Sequence, residues 1–485
     1  MKRFSYFVMG LISAAAFTFT SCSSSDDING GNKNELVDGV YMTLTVSGPN
    51  ANNKAKTRTD GTEKDNGTKT ESKITEGTLY IYKGTTCVFK RTLTKEDWKT
   101  APTETASGET RPIKVSVNTV NTEDTYNVYF MANKTDVADP LEADAKFAAS
   151  STGGADYAKD NTFVMFNQND KSNPAAHSTV TFKTENQSES NPAKATEIKL
   201  DRVVARIDAP TVAATVIEGS TATTNVADMI SGIEYVSYAT SNLNNNSFII
   251  QNWDNNFADL VVDNSSLYKN YDAFGNKYTA AGTNLFTTNT ATAKSYAFEN
   301  TTTEATKATA LYFSIKGNLT ETAKANADFS DGTFYRYDGK IYTKIADIYD
   351  DAKKGIVANP FNVNGNTLEA TEVVNSLKKE DGTLIDEGET LANFRKKYKI
   401  QIFRAGIMYY RWAITDSYYK PNTTPAATYS VLRNSIYRLN VKQVSEIGKD
   451  VPNGPEPADV NPNYYMTVTV TVNPWILNAQ DITLK

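Results

Sequence analysis

The chain has one histidine, His177, and two cysteines, Cys22 and Cys87, in 485 residues. A single imidazole leaves little for acid–base catalysis, and no His or Cys cluster shows metal-ligand spacing. His177 lies in the loop-like Asn173-Pro174-Ala175-Ala176-His177-Ser178 and reads as a solvated surface residue rather than a triad member. Two cysteines make no disulfide framework. Basic charge is also scarce: 50 Lys and Arg stand against 56 Asp and Glu, a formal net charge of -6, so no basic face is available for nucleic acid. Asp347, Asp350 and Asp351 form an acidic patch without the alternating ligands and glycine of a calcium loop. Gly153-Gly154 is not followed by the Lys-Ser/Thr of a phosphate loop. The 56 acidic residues offer no specific carboxylate pair for glycoside hydrolysis. These absences argue against an enzyme and imply no cofactor and no metal.

What is present favours strands. Hydrophobic residues make up 39% and charged residues 22%, with 27 Tyr and 21 Phe and abundant Thr, Asn and Ala. That mixture suits half-buried strands joined by polar loops, and it is poor in the helix formers Leu, Glu and Lys. The length exceeds one ordinary core, so two or more β-rich domains are expected.

The first 22 residues read as an export signal. Lys2 and Arg3 give a positive start, residues 4–19 an apolar run too short for a spanning helix, and Ser21-Cys22 a small-residue end. This resembles a bacterial lipoprotein box, with Phe19 where Leu is usual and Cys22 as the lipidated residue. The following Ser23-Ser24-Ser25-Asp26-Asp27 resembles the acidic tract that sends Bacteroidetes lipoproteins to the outer surface. No later segment is apolar enough to span a membrane, so one acyl anchor in the outer membrane would be the attachment, and a downstream cut would release the protein. Cys87, in Thr85-Thr86-Cys87-Val88, reads as a small buried strand residue rather than a reactive thiol.

Residues 40–46 are the clearest strand. Val40, Met42, Leu44 and Val46 fall on one face at period two, with Tyr41, Thr43 and Thr45 on the other. A polar stretch without apolar periodicity, residues 48–73, follows. Within it, Lys54-Ala55-Lys56-Thr57-Arg58 is a basic site for a trypsin-like protease. Further strands are expected at 78–82, 87–93, 113–117, 126–132, 179–182 and 199–207. Pro210 then suggests a domain boundary. In the second half, strands are expected at 233–239, 247–251, 398–403, 408–414, 437–444 and 465–472. Residues 334–344 read as a hairpin turning at Asp338-Gly339, and 370–379 as the best helix.

The two ends of the chain match. Tyr41-Met42-Thr43-Leu44-Thr45-Val46 returns as Tyr465-Met466-Thr467-Val468-Thr469-Val470, with Leu44 replaced by Val468 and the other five positions identical. A sandwich that lost residues 40–46 would expose an apolar groove and two unpaired strand edges. A second chain's C-terminal strand could fill it with Met466, Val468, Val470 and Val472, by β-strand addition. Donor and acceptor lie at opposite ends, so such a contact is head-to-tail and builds an open fibre.

With the lipoprotein start, three further segments carry a resemblance to a known family. They are Leu200-Asp201-Arg202-Val203-Val204-Ala205-Arg206-Ile207, Tyr429-Ser430-Val431-Leu432-Arg433-Asn434-Ser435-Ile436-Tyr437-Arg438-Leu439, and Val470-Thr471-Val472-Asn473-Pro474-Trp475. Together they resemble the fimbrillin subunits of Bacteroidales. The resemblance implies a mostly β fold of two transthyretin-like β-sandwich domains in tandem. It implies cleavage after an arginine behind the first strand, here Arg58, and polymerisation by donor-strand exchange into a fimbria that supports adhesion or biofilm formation. The implied partners are identical or related subunits and a maturation protease, and the implied place is the bacterial cell surface. On this reading residues 1–22 are the signal peptide, 23–58 a propeptide with the removable strand, 59–209 an N-terminal sandwich and 210–485 a C-terminal sandwich. The donor strand lies near 464–485, either residues 465–472 or 476–484. A stalk role is favoured over a tip adhesin. The alternative is a surface-anchored glycan-binding lipoprotein, with Trp98, Trp253, Trp412 and the tyrosines as a sugar platform.

Overall fold

A computed structural model describes residues 40–47, 64–65, 68–99, 110–135, 139–142, 145–147, 153–171, 174–268, 293–363, 366–416, 419, 421–422, 429–452, 466–472 and 475–484. Cys22, Arg58 and Tyr465 lie outside these residues.

The described chain is mostly β, in two sandwiches. In the first half, the strands are β1 (Val40–Ser47), β3 (Gly77–Lys83), β4 (Thr86–Leu93), β5 (Thr110–Val117) and β6 (Thr125–Ala132). They continue with β7 (Met165–Asn167), β8 (Thr179–Thr181), β9 (Ala193–Lys194) and β10 (Ile198–Arg202). These nine form one sheet that doubles over. β10 makes the fold-over: Ile198 and Lys199 pair with β1, whereas Leu200–Arg202 pair with β7. One core lies between the layers and takes Met42, Leu44 and Val115 from one and Leu79, Ile81 and Val128 from the other. β3 is buried on both faces. Its alternate residues Tyr80 and Tyr82 enter a second, aromatic core with Phe147, Phe163 and Phe298.

Residues 199–207, expected as one strand, are two strands in two sheets. The chain leaves β10 at Arg202 and passes through Val203 and Val204, both 0% exposed. It re-enters as β11 (Ala205–Ile207) in the second sandwich. The aromatic core covers the two valines, so the crossing itself is a buried packing element.

The second sandwich sets a seven-stranded sheet against a three-stranded one. The larger sheet holds β2 (Lys64–Asp65), β11, the short pair Thr211–Val212, β13 (Ser295–Ala297), β19 (Ser435–Val444), β20 (Met466–Val472) and β21 (Trp475–Leu484). The smaller holds β12 (Ile230–Ser241), β14 (Ala310–Leu319) and β18 (Ile407–Ala413), all antiparallel. Leu439 and Val441 of one sheet and Leu311, Phe313 and Met408 of the other share a core.

β14 and β18 are adjacent in space, yet a subdomain with its own core separates them in sequence. It contains the hairpin β15 (Phe334–Tyr337) and β16 (Lys340–Tyr342), helices α1 (Ile345–Lys353), α2 (Ala370–Asn375) and α3 (Glu389–Tyr398), and β17 (Gln401–Phe403). The hairpin turns where expected, with φ of 47° at Asp338 and 68° at Gly339, the left-handed pair that a two-residue turn requires. Helix α2 covers the first part of the segment expected as helical. α1 and α3 were not expected. The strand expected at 398–403 begins only at Gln401, because Tyr398 closes α3 and Lys399 takes φ of 59°.

Candidate functional site

The removable-strand residues sit in an interior strand. β1 pairs antiparallel with β5 over its whole length, from Val40 opposite Val117 to Ser47 opposite Thr110. Its other edge pairs parallel with β9 at Met42 and Thr43 and with β10 at Val46 and Ser47. The period-two pattern aims Val40, Met42 and Leu44 into the first core, where they are 4%, 0% and 0% exposed. Tyr41 and Thr43 point the other way and are half-buried. Val46 continues the register opposite Arg111 and Ile198. At about 1.5–3 kcal/mol for each large aliphatic side chain taken out of water, the three buried residues contribute several kcal/mol, ladder hydrogen bonds aside. Without β1, β5 and the β9–β10 segment would face each other across an apolar slot with two unpaired edges.

The matching strand lies elsewhere. β20 is held between β19 and β21: Met466, Val468 and Val470 stand opposite Val444, Val441 and Leu439 on one side, and opposite Leu484, Asp481 and Ala479 on the other. Val472 stands opposite Leu477. β21 pairs with β20 and also runs parallel to the start of β19, from Ser435 opposite Ile476 to Arg438 opposite Ala479, and β2 meets it with Lys64 opposite Ile476 and Asp65 opposite Trp475. The two similar strands therefore occupy different sheets of one chain.

Two of the segments that carry the resemblance, residues 200–207 and 429–439, meet at the crossing between the sandwiches. Arg202 and Arg206 are 0% and 6% exposed. Arg202 Nη1 donates to Asn434 Oδ1 at 3.0 Å, and Asn434 Nδ2 donates to Asp201 Oδ1 at 2.7 Å. The Asn434 amide donates to the Val204 carbonyl at 2.8 Å. Arg206 and Arg438 both reach the Asp208 carboxylate, at 2.9 and 2.8 Å. Sequence reasoning missed the residue that closes this cluster, Glu71, because it stands in a polar stretch without periodicity. It sits at the end of a 3-10 turn, Lys69–Glu71, and is 0% exposed. Arg206 Nη1 donates to both its carboxylate oxygens at 2.9 Å, and Lys294 Nζ to Oε1 at 2.9 Å.

The electrostatics follow from the geometry. Burial alone would raise the Glu71 pKa, but Arg206, Lys294 and the Thr68 amide outweigh it and hold the carboxyl below its usual range. Asp208 is lowered in the same way, burial being overcome by Arg206 and Arg438. Full burial pushes Arg202 down to about 10 despite Glu71 and Asp201 nearby, which leaves it charged at neutral pH.

The remaining candidate residues do not converge. His177 is exposed at the end of the short turn Ala175–His177. Cys87 is half-buried on β4 against the aromatic core rather than fully buried. Trp253 donates its ring N–H to the Asn169 carbonyl at 2.7 Å and packs near Tyr419. Trp412 packs on the core of the second sandwich, so the two do not form one platform. The Trp98 side chain lies outside the described atoms. Asp351, in the acidic patch, is 9% exposed in α1 and accepts from Lys340 Nζ at 2.6 Å and the Tyr342 hydroxyl at 3.1 Å. Among the described residues, no three His, Cys, Asp or Glu gather as a metal site would require. None of the described helices is long and apolar enough to cross a membrane.

Comparison with known proteins finds a likeness to fimbrillins over part of the chain. Residues 401–481 match the family model for the major fimbrial subunit protein type IV, fimbrillin, C-terminal. No curated protein matches the chain. Among solved structures, a fimbrilin (FimA) from Porphyromonas gingivalis is 13% identical, with 92% of this chain and 97% of that one covered, at a TM-score of 0.40. A protein from Parabacteroides distasonis described as a cell adhesion protein is 11% identical over 92% of this chain and 99% of its own, at 0.41. The tip fimbrial protein Mfa3 from Porphyromonas gingivalis, truncated at its C-terminus, is 11% identical over 84% and 95%, at 0.31. From β17 into β21, residues 401–481, the chain is similar to the C-terminal region of a major fimbrial subunit, fimbrillin.

Proposed function

We propose that this chain is a structural subunit of a surface fimbria, of the stalk rather than the tip, and that it assembles head-to-tail by strand exchange. It is exported as a lipoprotein precursor acylated on Cys22, cut after Arg58 by a trypsin-like protease, and freed of β1. The observation that carries the reading is the position of β1. It is an interior strand with its apolar face in the core, and the segment after it holds the basic site ending in Arg58. A peripheral leader would leave the fold intact when removed, whereas loss of this strand opens a slot along the sheet.

The C-terminus supplies an occupant. Aligned on the shared Tyr-Met-Thr, Met466 takes the place of Met42, Val468 of Leu44 and Val470 of Val46, so the apolar face keeps its register. Val472 extends it by one more turn of the alternation. In the precursor, β20 is paired on both sides within its own subunit, and β1 fills the slot, so neither strand is free to polymerise. Subunit partners of this kind support adhesion by building a fibre, with no chemistry asked of any side chain.

Electron microscopy of the processed protein, with and without residues 464–485, tests the proposal. Fibres should form only from the chain that keeps those residues. Fibres of equal length from the truncated chain would refute strand donation from the C-terminus.

A further inference from the structure

We infer that the Glu71 cluster is a proteolytic stop: it fixes the chain just downstream of the maturation site, so that a trypsin-like enzyme can excise β1 but cannot advance into the sandwich. The inference rests on the proposed cut at Arg58 and adds the element that limits it.

Basic residues at which such an enzyme would cut do not end at Arg58. Lys64, in β2, and then Lys69 and Lys73 follow it before β3. Cutting a chain requires a stretch of backbone to open locally, and the rate follows the population of the opened form. Residues 68–74 are held against opening from several directions. The Glu71 carboxylate takes Arg206 and Lys294, and its Oε2 also accepts the Thr68 amide at 3.0 Å. Its backbone carbonyl accepts from Arg202 Nε at 2.7 Å, and Arg202 Nη2 donates to the Ser72 hydroxyl at 2.9 Å. The Thr70 carbonyl accepts from the Asn161 amide at 2.8 Å. Ile74 is 1% exposed in the first core. Lys69 and Lys73 flank Glu71 on either side, so opening at either lysine means lifting the turn off the two arginines.

The chemistry of the cluster also explains why the stop belongs at this point. A cut after Lys73 would remove Glu71 and leave Arg202 and Arg206 buried with less opposing charge, a costly state where water is excluded. These arginines stand on either side of the crossing between the sandwiches. Loss of the turn would therefore weaken the joint between the two halves of the subunit, not merely trim an end.

Limited trypsin digestion of the purified full chain, read by intact mass of the large fragment, tests this. The wild-type fragment should begin at Thr59 or Asp65, and starts at Thr70 or Ile74 should be at least roughly tenfold slower to appear. Glu71→Gln keeps the shape and removes the charge, and should raise cutting after Lys69 and Lys73 by about tenfold or more. Equal cutting in the two proteins, or wild-type cutting after Lys69 or Lys73 as fast as after Arg58, would overturn the inference. If Glu71→Gln does not fold, amide exchange of residues 68–76 in the wild type decides: protection approaching that of β3 supports the stop, and exchange at the rate of a free peptide refutes it. These measurements read the anchor on purified protein. The N-terminal mass of fibre-borne subunits reads the use of Arg58 in the cell, so the two ideas fail separately.

Discussion

Arg202 and Asn434 are 232 positions apart in the chain, yet the guanidinium of one donates to the side-chain carbonyl of the other at 3.0 Å inside the joint between two sandwiches. Asn434 also spans to Asp201 and to the Val204 carbonyl, so one amide ties the C-terminal region to the crossing. Its φ of 55° is a conformation that Asn tolerates better than most residues, which further narrows what can stand there.

Replacement of Asn434 by Ala removes one partner from the buried Arg202 and one from the half-buried Asp201. The expected cost is about 1–3 kcal/mol, as is usual when a buried donor or acceptor loses its partner. It should appear as a lower urea midpoint with an unchanged slope. An unchanged midpoint would show that the joint does not depend on this contact.

Leu44→Ala in the precursor should cost about 2–5 kcal/mol, because the side chain is 0% exposed in a packed core. The same substitution should have no effect on the stability of a processed subunit, which on the proposed reading no longer contains β1. Equal destabilisation of both forms, measured by denaturant unfolding, would mean that β1 stays.

The Glu71 cluster predicts an acid sensitivity with a defined sign. A carboxyl held below its ordinary value of 4.5 contributes its stabilisation fully above that value and loses it as pH falls through the lower, folded-state value. Unfolding free energy should therefore drop as pH is lowered from about 4.5, and the drop should be shallower in Glu71→Gln. Asp208, also lowered, adds a loss of the same sign as pH falls below its ordinary value of 3.8. Identical pH profiles for the two proteins would remove Glu71 from the account.

Arg58→Ala should block maturation and abolish the ladders resistant to mild detergent that head-to-tail strand exchange produces. Continued ladder formation would mean that this cut is not the trigger.

Much of the fold was legible because strands write a period of two. The alternation of β1 predicted its buried face, and Asp338-Gly339 marked its hairpin through the φ values such a turn needs. β20 and β21 were also placed correctly as strands. The subdomain between β14 and β18 was not legible. α1 and α3 are short, rich in Lys and Asp or Glu, and gain their stability from a private core rather than from propensity. The split of residues 199–207 was hidden for a related reason: Val203 and Val204 look like strand interior, and only the second sheet shows that they are a crossing. At the site, the sequence placed Arg202 and Arg206 on one strand without saying that they are buried. A signal did exist, since Arg202 falls on the same alternation as Ile198 and Leu200, which are 0% and 2% exposed. Glu71 gave no comparable signal, because its role depends on partners more than 130 positions away.

The central claim is that the subunit enters the fibre without its first strand. The most direct test is the N-terminal mass of subunits taken from purified surface fibres. The account predicts a start at Thr59, with Cys22 and β1 absent. Intact, acylated Cys22 on all of the fibre material would contradict it.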